Sequence, residues 1–166
     1  FFSAYHKDQQ ATADAWQNGW FHTGDIVRRD AQGYVTFVDR KKNVIRRSGE
    51  NIAAVEVEST LIRHPRVAAA AVCAVPDDVR GNEVFACVVT DPASDPDASA
   101  LASEITTWML GELAYYKAPG FVAFVDALPL TATQKIQRGE LKALALAILA
   151  RNDAVDVRAL KKRNAI

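Results

Sequence analysis

Lys135 lies in LPLTATQKIQRGELK (residues 128–142), on a Thr-rich polar stretch after a Leu-Pro stop and just before a helical pattern. A lysine on such a loop is a compact positive charge with three donors, suited to meeting an anion. Asp25 closes GWFHTGD (19–25). A carboxylate after a Thr-Gly turn can accept hydrogen bonds from two vicinal hydroxyls, as a ribose presents. It can equally cap its own turn. A third segment, VDRKKNVIRRSGENIAAVEVE (38–58), carries a basic run that ends in the polar turn Ser48-Gly49-Glu50-Asn51.

The net charge is zero, but it is unevenly spread. Residues 40–51 set Arg40, Lys41, Lys42, Arg46 and Arg47 against Glu50, a net of +4. Residues 52–134 have a net of −7, and residues 135–166 a net of +5. Two readings fit: solvated faces, or two basic arms converging on a phosphate or a phosphorylated cofactor. The acidic middle and the few aromatics beside the basic residues argue against nucleic acid.

With 166 residues, 49% of them hydrophobic, the chain can build one ordinary core, or one domain with an appendage. The composition fits neither disorder nor a collagen-like chain. No apolar run reaches the ~18 residues of a membrane span. FFSAYHKDQQ has no basic segment followed by an apolar one and no initiator Met. A cytoplasmic fragment without a signal peptide is therefore expected. Cys73 and Cys87 sit in apolar, strand-like runs and read as free buried thiols. No Cys/His spacing suggests a zinc site, and no metal site is expected. His6 and His64 read as surface residues, and His22 lies within the first motif.

These residues need elements to position them. Residues 11–18 predict a short helix ending near Gly19, followed by turn-punctuated strands. Residues 34–39 alternate in the period-two manner of a half-buried strand. Residues 40–47 read as a charged connector. Residues 53–63 predict a helix with Ala54, Val57 and Leu61 on one face and Pro65 just beyond its end. VAAAAVCAV (67–75) and EVFACVVT (83–90) read as strands and 91–99 as a loop. ALASEITTWMLGEL (100–113) predicts a helix with Leu101, Ile105 and Trp108 or Met109 inward. FVAFVDAL (121–128) predicts a strand and 138–150 an amphipathic helix. Gly81-Asn82-Glu83 reads as a turn leading into core. The order predicts a small α+β domain with a central sheet flanked by helices.

The motifs and their order resemble the C-terminal part of the adenylate-forming superfamily: acyl-CoA synthetases, peptide-synthetase adenylation domains and beetle luciferases. The resemblance runs to about residue 142. It implies a division into the last strands of an AMP-binding N-terminal domain (1–39), a hinge (40–43), a C-terminal lid (44–150) and a tail (151–166). It implies that Asp25 binds the AMP ribose and that Arg40, Arg46 and Asn51 bind the nucleotide. Ser48, Gly49 and Glu50 would line the pantetheine channel of CoA, and Lys42 would be the hinge. Lys135 would be catalytic, contacting the carboxylate and the α-phosphate. In the family's lysine loop a glycine stands where this chain has Gln134, a residue that resists positive φ.

The implied activity is ATP-dependent formation of an acyl-AMP from a carboxylic acid, then transfer of the acyl group to CoA. ATP, Mg2+ and CoA are the implied cofactors, with ATP and Mg2+ held mainly by the N-terminal domain. The family's phosphate-binding loop and acyl pocket have no counterpart here, so the chain alone is expected to be inactive. Two alternatives stay open: an adenylation domain serving a carrier protein, and a non-catalytic binding or dimerisation module of the same fold.

Overall fold

In a computed structural model, residues 2–90 and 97–161 are described. The chain divides into two compact units, Phe1–Lys42 and Asn43–Ile166. Among the described residues, no helix is long and apolar enough to cross a membrane.

In the first unit, helix α1 (Gln9–Ala15) starts at Asp8, whose side chain accepts the Ala11 N–H at 2.8 Å. It stops earlier than the sequence pattern suggests. Asn18 (φ +54°) and Gly19 (φ +76°) form a two-residue turn between strands β1 (Trp16–Gln17) and β2 (Trp20–Phe21). Asn-Gly at two positive-φ positions favours that hairpin over a further helical turn. Strands β3 (Asp25–Arg29) and β4 (Val35–Arg40) form a second hairpin. Its turn is capped by Asp30, which accepts the Gln32 and Tyr34 N–H groups. The half-buried pattern expected of β4 is not observed: Tyr34 is 74% exposed and Val35 61%. The β3–β4 ribbon has no third strand among the described residues, so both of its edges lack a strand partner there.

In the second unit, strands β7 (Val67–Asp77), β8 (Gly81–Thr90), β9 (Phe121–Phe124) and β10 (Val155–Asp156) form one sheet, ordered β10-β9-β8-β7. β8 and β9 are parallel; the crossover between them contains helix α3 (Ala98–Glu112). Side chains alternate across the sheet. Val72, Val84, Ala86, Val88 and Val122 pack with Val57 and Leu61 of helix α2 (Ala54–Ile62) and with Leu101, Ile105 and Met109 of α3. On the other face Cys73, Phe85, Cys87 and Ala123 pack with Leu141, Ala145 and Ile148 of helix α4 (Arg138–Ala150). Two-sided burial explains why β7 and β8 read as nearly continuous apolar runs. The Trp108/Met109 choice resolves to Met109 inside, with Trp108 half-buried beside it.

The segment read as a connector is instead a short 3₁₀ turn (Lys41–Asn43) and a hairpin, β5 (Ile45–Arg47) with β6 (Glu50–Ile52). Ile45 and Ile52 drop into the α2/α3 side of the core. His64 is not a surface residue: it is 4% exposed, packed edge-on to Trp108, and burial lowers its proton affinity despite the nearby Glu104 carboxylate. Both thiols are buried and free; desolvation pushes Cys73 to about 11 and Cys87 to about 12. The packed unit also continues past residue 150. β10 pairs with β9, and a 3₁₀ turn (Arg158–Leu160) leads to Lys161, whose side chain is inside. Of the expected 91–99 loop, residues 91–96 lie outside the described residues.

Candidate functional site

In the first unit, Asp25 and Arg40 face each other across the end of the β3–β4 ribbon. Arg40 Nε lies 3.1 Å from Asp25 Oδ1. The loop before them is set by Gly24 (φ +75°), whose carbonyl accepts the Lys41 N–H at 2.8 Å, and by Thr23 Oγ1, which accepts the Asp25 N–H at 3.1 Å. Thr23, Gly24, Arg40, Lys41 and Lys42 line a cleft of about 420 Å³. An adjoining hollow is lined by His22 and Asp25, among others. A carboxylate beside a guanidinium on a cleft wall can take a polyhydroxylated, anionic ligand: the acid accepts hydroxyls and the arginine offers donors.

In the second unit the candidate residues fall into two groups. The first is the β5–β6 hairpin. Its loop is Ser48 (φ +49°) and Gly49 (φ +86°), a two-residue turn with both φ angles positive. Arg46 pairs directly with Asn51, and Arg47 with Glu50. The period-two strand separates the adjacent arginines: Arg46 is exposed, whereas Arg47 turns inward and donates Nε–H to both carboxylate oxygens of Glu83 at 2.9 Å. Two bonds tie the hairpin to the β7–β8 turn. Ser48 N–H donates to the Arg80 carbonyl at 3.0 Å, and Asn82 Nδ2 donates to the Arg46 carbonyl at 2.9 Å. Arg46, Ser48, Gly49, Glu50 and Asn51 are thus one exposed surface on one anchored turn.

The second group is the Lys135 loop. Gln134 N–H bonds the Thr131 carbonyl at 2.9 Å, and Thr131 N–H bonds the Lys135 carbonyl at 2.8 Å. The Thr131 hydroxyl accepts the Lys135 N–H at 3.1 Å. Gln134 adopts φ +61°, the left-handed position that a loop of this kind reserves for glycine. The substitution therefore leaves the turn in place and makes it strained. The Lys135 side chain is exposed and makes no ion pair with the described residues. Leu128 and Ile136, flanking the loop, pack on the α4 side of the sheet. The hairpin packs on the α2/α3 side. The structure therefore gathers residues 46–51 on one hairpin and puts Lys135 on a separate loop, whose flanks pack on the other face of the sheet.

Sequence reasoning placed Glu83 in a turn leading into core without giving it a partner, and did not single out Lys161, Glu58 or Arg138. Glu83 is 0% exposed and bonded by Arg47 and Lys161. Glu58 pairs with Arg138, and together they satisfy the edge of β7: Glu58 Oε1 accepts the Val72 N–H at 2.9 Å, and Arg138 donates to the Val72 carbonyl at 3.1 Å. The signal for Glu83 was a lone acid at the head of an apolar strand, since such residues are buried only when paired.

A sheet layered with helices, an anchored hairpin on one face and a lysine loop on the other define a C-terminal domain of the adenylate-forming kind. Residues 56–135 match the family model described as the AMP-binding enzyme C-terminal domain. Over 143 residues it is 42% identical to the mitochondrial acyl-coenzyme A synthetase ACSM5 of Homo sapiens, covering 86% of this chain and 25% of that protein. It is 42% identical over 138 residues to a feruloyl-CoA synthase of an Amycolatopsis species, covering 83% and 27%. Among solved structures it is similar to the o-succinylbenzoate CoA synthetase of Bacillus subtilis in complex with its acyl-adenylate intermediate. The TM-score is 0.75 and the identity 35%, over 84% of this chain and 28% of that one. The chain spans about a quarter of the length of the curated relatives it matches.

Proposed function

We propose that this chain is the C-terminal lid, with the last strands of the AMP-binding domain, of an ATP-dependent acyl-CoA ligase. A carboxylate oxygen attacks the α-phosphorus of ATP, and the bond to pyrophosphate breaks, leaving acyl-AMP. The CoA thiolate then attacks the acyl carbonyl and releases AMP. Lys135 supplies positive charge as two anions approach and charge develops at phosphorus. Asp25 accepts the ribose hydroxyls and Arg40 takes the nucleotide; Arg46 and Asn51, arriving with the Ser48–Gly49 turn, reach the adenylate during transfer to CoA. Ser48, Gly49 and Glu50 line the pantetheine path, where Gly49 allows close approach of backbone to a narrow ligand. Lys42, the last residue of the first unit, is the hinge. By the family resemblance, ATP and Mg2+ are held mainly by the N-terminal domain.

The observation that carries this reading is that the segments bearing the two groups pack on opposite faces of one sheet: Ile45 and Ile52, on the two strands of the turn hairpin, on the α2/α3 side, and Leu128 and Ile136, flanking the Lys135 loop, on the α4 side. Two separate surfaces suit two successive half-reactions. The relatives are named for CoA thioester formation, which favours free CoA over a carrier protein. The test offers the full-length protein an acid, ATP and either free CoA or a phosphopantetheinylated carrier. Acyl-CoA formation is expected; discharge onto the carrier alone, or no acyl-AMP at all, contradicts the reading.

A further inference from the structure

Gly81-Asn82-Glu83 has no role in the reaction described above, yet it is the anchorage of the β5–β6 hairpin. Asn82 bonds the Arg46 carbonyl, and Glu83 takes the Arg47 guanidinium on its two oxygens. Glu83 Oε1 also accepts the Val84 N–H at 2.8 Å and the Lys161 ammonium at 2.6 Å. The carboxylate is wholly enclosed, as are the Arg47 and Lys161 side chains to within 5%. Gly120 makes room for it: a Cβ there would lie 2.4 Å from Glu83 Cγ. Nearby, Arg158 bonds the buried Asp77 at 3.0 Å, stacks over Phe121 and pairs with Asp156.

We propose that Glu83 is a positioning residue for acyl transfer to CoA, holding Arg47 and Lys161 so that the β5–β6 turn stands rigid where the thiol arrives. This rests on the function proposed above. Arg47 lies between Arg46 and Ser48, so pinning its side chain inward fixes the outward direction of both neighbours. Lys161 lies beyond α4, the helix that begins three residues after Lys135. The segment after α4, up to Lys161, therefore runs back to Glu83 and braces the hairpin. Buried charge is costly unless matched, and here one carboxylate matches two cations in one geometry. Such a cluster serves definition of place more than stability.

The full-length enzyme tests this with Glu83→Gln, Lys161→Met, Arg47→Met and Arg47→Lys. Acyl-AMP formation is followed by ATP–pyrophosphate exchange, and transfer by CoA consumption from supplied acyl-AMP. Glu83→Gln and Lys161→Met are expected to lower kcat for transfer roughly ten- to hundredfold. Exchange should stay within about twofold of the wild type. Arg47→Lys should recover part of what Arg47→Met loses. Unchanged transfer in the variants, or a parallel fall in both half-reactions, overturns the inference. If Glu83→Gln does not fold, Lys161→Met alone decides, since it leaves the Arg47–Glu83 pair intact. A wild-type enzyme that makes no acyl-CoA overturns the function reading itself, and this inference with it.

Discussion

Arg46 stands directly opposite Asn51 across a two-residue turn in which Ser48 and Gly49 both have positive φ. The turn, more than either side chain, decides where the two point. Gly49→Ala should destabilise the chain by about 1–2 kcal/mol, the cost of a Cβ in the left-handed region. No heavy atom lies within 4 Å of the Cβ position, so the loss comes from backbone strain and not from a clash. Denaturant unfolding of the chain checks this; an unchanged midpoint contradicts it.

Gln134 carries the complementary prediction. It occupies a glycine position at φ +61° and is exposed. Gln134→Gly should stabilise the loop by about 0.5–1 kcal/mol, less than the full strain because glycine also frees the unfolded chain. Gln134→Val should act in the opposite direction. Thermal melts of the three proteins give the order directly.

Glu58 and Arg138 close the exposed edge of β7 at Val72. Glu58→Ala leaves the Val72 N–H without its acceptor and Arg138 without that carboxylate. A loss of about 2–4 kcal/mol is expected, below the figure for a fully buried pair because Arg138 is part-exposed. A change under about 1 kcal/mol by urea titration would count against the pair as a structural clasp.

Lys161 predicts a pH dependence. Desolvation first, with Arg47 and Arg80, outweighs Glu83 and holds its ammonium at about 8, below the ordinary 10.5. The folded chain thus releases the proton more readily than the unfolded one. Between about 8 and 10.5 the unfolded state binds more protons, so this group makes stability rise with pH through that window. Lys161→Met should remove that rise, measured as the difference between the two proteins' stability–pH curves.

Much of this was legible in the sequence. The α2 face of Ala54, Val57 and Leu61 and the amphipathic α4 carried helical periodicity, the strands β7 and β8 read as short apolar runs without a period, and all are present. The β5–β6 hairpin was not legible. Its strands are three residues each, too short for a period, and its turn has Ser48 where Asn or Gly is usual. Burial of His64, Glu83 and Lys161 was hidden for a different reason. Polar residues read as exposed until their partners are known, and these partners lie far along the chain. The exposed ribbon β3–β4 misled in the opposite way, because alternation predicts a covered face without saying what covers it. Among the candidate residues, Arg46 and Arg47 were indistinguishable by type; only the strand's register separates them.

The central claim is that one domain serves two half-reactions through two separate surfaces. The most direct measurement is Lys135→Ala in the full-length enzyme, with both half-reactions assayed on the same preparation. Acyl-AMP formation should fall by roughly a hundredfold or more, the scale of removing one preorganised transition-state donor. Thioester formation from supplied acyl-AMP should be spared. Equal loss of both steps would contradict the account.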